Sequence, residues 1–265
     1  MSPVLSERLV ELPRNPEPLV YEGGGGPPLV WFHGLGGVDP ADPVLNGLAE
    51  RFAVSAPLTP GFRDLGELDQ IDDIHDLAIY YDDLLNALGV EQAVIAGHSF
   101  GAMVAAEVAA HYPRRASQVV LVSPFGLWDD ARPVADLFAL TAGQMPDLLY
   151  MDPSKAPSAP DSPNGQPDIE ALVALAQSMT TLAKFMWPIP ERGLARRLPR
   201  ITVPALVVYG AQDRFVPVSY ADDFVSALGS ASSTLVEGAG HMVTIEAPDQ
   251  VLSVLNEFLG APAAA

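Results

Sequence analysis

Three residues far apart in the chain could together carry out nucleophilic chemistry. Ser99 sits in the stretch AGHSFGA (96–102), a hydroxyl held between Gly97 and Gly101 where the apolar run AVIAG meets the Ala-rich run AMVAAEVAAHY. Asp213 lies in VVYGAQDRFVP and His241 in VEGAGHMVTIEAP. A serine hydroxyl is a poor nucleophile until a base takes its proton. An imidazole titrating near neutrality suits that role, and a carboxylate fixes the ring's tautomer and stabilises the imidazolium. Glycines flanking Ser99 relieve crowding where a sharp turn lifts a side chain above a sheet. A developing oxyanion needs backbone donors, expected here from the N–H of Phe100 and, within HGLGG (33–37), that of Leu35. The plainer reading of AGHSFGA is an ordinary turn with a capping serine.

The elements that must position these groups are legible in the hydropathy pattern. SERLVELP and PEPLVYE read as two short strands, and LVWF (29–32) as a buried strand leading into HGLGG. Residues 43–52 read as a short helix and FAVSAPL as a strand. Ile74, Leu77, Ala78, Tyr81, Leu84, Leu85 and Leu88 form a helical stripe within residues 71–88. EQAVIAG is a strand ending at the Ser99 turn, and the helix after it runs to about His111, where Pro113 stops it. SQVVLVSP and ITVPALVVYG are further buried strands; residues 217–228 and 248–259 look helical, with SSTLVEGAG a strand and loop between them. The tail GAPAAA reads as frayed. Strands alternating with helices imply a mostly parallel, roughly eight-stranded sheet covered on both faces. One connection, residues 125–198, is far too long for an ordinary crossover. It contains the irregular stretch MDPSKAPSAPDSPNGQPD and a helical stretch over 169–184, and reads as a cap inserted into a core made of residues 1–124 and 199–265.

Composition narrows the function. The chain has 265 residues, 49% of them hydrophobic, enough for one large α/β domain. A net charge of −19, from 33 acids against 14 bases, argues against nucleic acid and anionic membrane as partners. With no cysteine there is no disulfide, thiolate metal site or cysteine nucleophile. The charged, proline-containing start MSPVLSERLVELPRNPEP leads us to expect no signal peptide, and no apolar run approaches membrane-spanning length, so a cytoplasmic protein is expected. No pair of histidines has the sequence spacing of metal ligands, and GGGG (23–26) lacks the Lys-Ser/Thr of a phosphate loop; no metal and no cofactor are expected.

The order Ser99, Asp213, His241, with His33-Gly34 before them and a cap after the sixth strand, resembles the α/β-hydrolase family in its capped, serine-dependent form. The resemblance spans nearly the whole chain. It implies a catalytic triad of Ser99, Asp213 and His241, an oxyanion hole from Leu35 and Phe100, and an acyl-enzyme mechanism. The expected activity is hydrolysis of a small or medium apolar carboxylic ester. Asp129 or Asp130, after the sixth strand, is the rival acid known from variants of the fold. Relatives that cleave carbon–carbon bonds of ring-fission products share Ser, His and Asp but usually carry Asn before the nucleophile and Trp after the histidine, where this chain has His98 and Met242. Arg192 keeps that alternative open as a carboxylate binder, against a reading as a solvated arginine paired with Glu191. A ligand-binding receptor that keeps the fold is the alternative from another class. His98 is expected to point away from Ser99, His33 to brace the oxyanion loop, and His75 and His111 to lie on helix surfaces. Trp128, Met179, Phe185, Met186, Trp187, Arg192 and Met242 are the candidate pocket residues. Oligomeric state is not legible.

Overall fold

The computed structural model describes residues 5–13, 16–156 and 168–260. The irregular stretch expected around 151–168 falls largely outside them, as does nearly all of the C-terminal tail.

Eight strands form one sheet: β1 (Ser6–Leu9), β2 (Leu19–Gly23), β3 (Pro28–Phe32), β4 (Ala53–Pro57), β5 (Ala93–His98), β6 (Ala116–Val122), β7 (Ala205–Gly210) and β8 (Ala231–Val236). Their spatial order is β1-β2-β4-β3-β5-β6-β7-β8. β1 and β2 pair antiparallel, β2 and β4 antiparallel, and all remaining neighbours parallel. The central strands are apolar on both faces, with β5 and β7 buried along their whole length. Such strands suit the middle of a sheet with helices on each side.

The helices divide between two apolar clusters, one on each face. Val44, Leu45 and Leu48 of α1 (Pro43–Ala49) pack with Val251 and Leu255 of α9 (Pro248–Gly260) in one. The other holds α2 (Ile74–Ala87), α3 (Phe100–His111) and α7 (Tyr220–Leu228). α2 is capped by Asp73, whose carboxylate accepts from the backbone N–H groups of His75 and Asp76, which is why the helix starts at Ile74, the first residue of its apolar stripe, and not at residue 71. Only its last residue, His111, keeps α3 from being wholly buried, matching its all-round apolar sequence.

Between β6 and β7 lie α4 (Met145–Leu149), α5 (Ile169–Met186) and α6 (Leu194–Arg197). α5 extends the expected helix by two residues. The two shorter helices have too few turns to show a periodic stripe. Residues Leu137, Leu149, Leu182, Phe185, Met186 and Leu194 of this segment are buried against the same core as α3. No helix among the described residues is long and apolar enough to cross a membrane.

Candidate active site

β3 lies between β4 and β5, so the chain leaves the sheet in opposite directions at their carboxyl ends, the place where open α/β sheets leave a crevice. The loop His33–Gly37 follows β3 and Ser99 follows β5. Ser99 has φ 59° and ψ −122°, a strained conformation for a residue with a Cβ. The flanking glycines make it feasible. A methyl on Gly101 would stand 2.0 Å from the Phe32 carbonyl oxygen, and one on Gly97 would stand 2.4 Å from the Gly101 carbonyl oxygen. Strand and helix therefore meet at a separation only glycine permits. Phe100 opens α3, where its N–H has no partner within the helix.

The three dispersed residues meet above this turn. Ser99 Oγ donates to His241 Nε2 at 2.8 Å, and His241 Nδ1 donates to Asp213 Oδ2 at 2.8 Å. The histidine side chain is 1% exposed and the aspartate side chain 0%. The other Asp213 oxygen accepts from the N–H groups of Phe215 and Val216. The carboxylate is thus hydrogen-bonded, and oriented, by the turn that carries it. The rings of Phe125 and Phe215 flank the imidazole at centroid distances of 5.3 and 4.9 Å. Asp129 instead takes Arg132 and the Ala131 N–H, and Asp130 accepts from the Trp128 indole; neither acid meets His241.

The loop carrying His241 is fastened along its backbone. Gln212 Oε1 accepts from the N–H groups of Gly238 and Ala239, and Met242 N–H donates to the Leu149 carbonyl. The His241 carbonyl accepts from His98 Nε2 at 2.9 Å and from Ser123 Oγ at 3.1 Å. His98 points away from Ser99, as expected. Burial pushes its imidazole down to about 4, with the neighbouring His241 contributing, so the ring is neutral. His33 braces the loop after β3: its Nε2 accepts from Thr59 N–H at 2.9 Å and its Nδ1 donates to the Gly34 carbonyl. Burial likewise pushes His33 down to about 4.

A pocket of about 10 Å³ lies over Ser99, lined by Leu35, Phe125, Leu137, Leu149, Leu182, Met186, Phe215, His241 and Met242. No charged side chain stands among them. Met186 and Met242 were named from sequence. The other five expected lining residues lie elsewhere. Trp128 lines an outer cleft of about 190 Å³, which shares Phe125, Leu137, Met186 and Phe215 with the inner pocket. Phe185 is buried and stacks on Phe100. Met179 packs at the core's edge, and Trp187 is 58% exposed. Arg192 donates to the carbonyls of Phe185 and Trp187, not to Glu191. Of these, Phe185 was drawn into the core by the same hydrophobicity that singled it out. Phe125, Leu137, Leu149, Leu182 and Phe215 had no signal distinguishing them from core residues.

Sequence spacing also hid one histidine pair. His75 Nδ1 lies 3.0 Å from His111 Nε2, with Glu107 nearby, the one cluster of metal-ligand types among the described residues. It fits an ion poorly, because both Glu107 oxygens are taken by Arg197.

A family model described as the alpha/beta hydrolase family matches residues 23–254. Among curated proteins, the chain is 24% identical over 262 residues to an uncharacterized protein of Mycobacterium tuberculosis, covering 89% of this chain and 76% of that one. It is 26% identical over 256 residues to a pimeloyl-[acyl-carrier protein] methyl ester esterase of Vibrio vulnificus, covering 89% of this chain and 96% of that one. Among solved structures it is similar to a bacterial membrane phospholipase A, with a TM-score of 0.82 and 25% identity, covering 97% of this chain and 86% of that one.

Proposed function

Because the chain belongs to the alpha/beta hydrolase family, we propose that it is a serine hydrolase cleaving a small or medium apolar carboxylic ester through an acyl-enzyme. Ser99 is the nucleophile, His241 the general base and then acid, and Asp213 the carboxylate that holds the imidazole. The N–H groups of Leu35 and Phe100 receive the oxyanion. Residues 125–198 act as the cap that closes over them.

In this reading His241 Nε2 takes the Ser99 proton as Oγ attacks the ester carbonyl, and Asp213 stabilises the imidazolium. The proton then passes to the departing alkoxide, leaving an acyl-serine. Water, activated by the same imidazole, attacks the acyl carbon, and collapse of that adduct returns the proton to Ser99 and releases the acid. The observation that carries the proposal is the unbroken hydrogen-bonded chain from Ser99 through His241 to buried Asp213 at the floor of an apolar pocket.

The uncharged lining supports a neutral, apolar substrate. It also speaks against the carbon–carbon hydrolase alternative, since the arginine available to bind a carboxylate is spent on two backbone carbonyls. The test is turnover of p-nitrophenyl esters of graded chain length, together with mass-spectrometric mapping of the adduct left by an organophosphonate. Turnover with the label on Ser99 is expected. Tight binding of esters without turnover, or a label elsewhere, would overturn the proposal in favour of a receptor or another nucleophile.

A further inference from the structure

Glu246 closes the short helix α8 (Val243–Glu246) and is 7% exposed, yet no cation among the described residues reaches its carboxylate. It is compensated instead by three backbone N–H groups. Oε2 accepts from Gly240 at 2.6 Å and from Met151 at 3.1 Å, and Oε1 accepts from Asp152 at 3.0 Å. The three donors belong to two different parts of the molecule. Gly240 immediately precedes His241, whereas Met151 and Asp152 follow α4 in the segment inserted between β6 and β7. The joint is tight: a methyl on Gly240 would stand 2.7 Å from the Met151 nitrogen and 3.1 Å from the Leu149 carbonyl oxygen. Two further bonds cross the same seam, Met242 N–H to the Leu149 carbonyl at 3.0 Å and Lys155 Nζ to the Glu246 carbonyl at 3.1 Å.

We propose that Glu246 is a positioning residue: its carboxylate ties the His241 loop to the inserted segment, so that the base stands in register with Ser99 and Asp213 only while that segment is seated. The inference rests on the reading of His241 as the base. Charge-assisted bonds to backbone N–H groups are among the stronger ones available in a buried site, and a carboxylate is the side chain able to accept three at once. Glutamine offers one oxygen and an NH₂ that cannot accept. Whichever way it turns, it must abandon either Asp152 or the pair Gly240 and Met151.

The experiment compares wild type, E246Q and E246D. Active sites are counted by exhaustive phosphonate labelling, kcat is expressed per labelled site, and kcat/KM is followed against pH. The groups facing the imidazole are Asp213, Ser99, the neutral His98 ring and the Phe125 and Phe215 rings. Loosening its contact with Asp213 therefore destabilises the imidazolium and moves the acid limb of kcat/KM to lower pH. E246Q is expected to lose on the order of 10²-fold in kcat per site, as about 1 Å of misplacement costs, with that limb displaced. E246D keeps the charge but is one methylene shorter, and is expected to fall between the two. It also supplies the reading if E246Q does not fold. Wild-type kcat per labelled site and an unmoved acid limb in the folded variant would overturn the proposal, because a residue that only stabilises the fold changes the number of active sites and nothing else. Failure of wild type to be labelled at Ser99 would instead sink the assignment of the base and nucleophile.

Discussion

The carboxyl end of the sheet and the segment inserted between β6 and β7 face each other across Ser99, and they are built on opposite rules. On the sheet side, unusual backbone and polar contacts accumulate. Ser99 and Ser123, at the ends of neighbouring strands, are the two non-glycine residues with positive φ among those described, at 59° and 46°. Around them Gln212, His98, Ser123 and Glu246 hold the His241 loop by its backbone. On the opposite side, the side chains of Leu137, Leu149, Leu182 and Met186 present apolar surface to the pocket, and the segment's polar bonds to the His241 loop are made by the backbone at Leu149, Met151 and Asp152. Strain and hydrogen bonds fix direction, which a proton-transfer chain requires. Apolar contact fixes shape without fixing direction, which suffices for the proposed binding wall.

If rate resides on the sheet side, substitutions there should dwarf those opposite. Ser99→Ala is expected to lower kcat by roughly 10⁴–10⁶-fold with an unchanged melting curve, by analogy with nucleophile removal in other serine enzymes. Asp213→Asn should cost about 10⁴-fold, because an amide favours the wrong imidazole tautomer. A Ser99→Ala variant that kept most of its turnover would break the comparison at its root.

The same contrast explains what could be read from the sequence. Gly97 and Gly101 around Ser99 were legible because the close approach of β5 and α3 to β3 leaves no choice of residue. Asp213 was legible because it lies in a short loop after the apolar strand β7, and His241 because it follows the last strand and completes the order Ser, Asp, His. Glu246 was not singled out, although a lone acid in the otherwise apolar run HMVTIEAP is the kind of polar interruption that signals a buried contact. The pocket wall was not legible, since Leu137 or Leu182 serves the core and the site by the same property. Nor was the meeting of His75 with His111, which depends on how α2 packs on α3 across 36 positions of sequence.

Acid should weaken the sheet side selectively. His33 and His98 are buried neutral, with values pushed by burial from 6.5 to about 4, and no histidine occurs in residues 125–198. An unfolded chain binds a proton at each position as pH falls through about 6.5, whereas the folded chain does so only near 4. The stability they contribute is therefore complete above about pH 6.5 and drains away between there and pH 4. At pH 5 the loss is on the order of 2 kcal/mol per ring. Urea midpoints measured from pH 7.5 to 5 should fall in wild type and fall less steeply in His98→Gln, whose amide still donates to the His241 carbonyl. Equal slopes would show that this ring does not carry the acid sensitivity.

The smallest effect is expected from the apolar wall, and it should appear in selectivity, not in rate. Leu137 and Met186 line both the pocket over Ser99 and the outer cleft of about 190 Å³. The inner space alone is about the size of one water, so these two side chains, with Phe125 and Phe215, form the partition an acyl chain would have to pass. Met186→Ala removes a flexible part of that partition while leaving the hydrogen-bonded chain untouched. A methylene gained or lost in a hydrophobic site is worth about 1–3 kcal/mol of discrimination. The ratio of kcat/KM for a long over a short p-nitrophenyl ester should therefore rise about tenfold, with kcat on the best substrate held within a few-fold. If Met186→Ala instead depressed every ester alike, as the sheet-side variants do, the apolar pocket wall itself would belong to the rate-setting machinery, and the division of labour drawn between wall and hydrogen-bonded frame would fail.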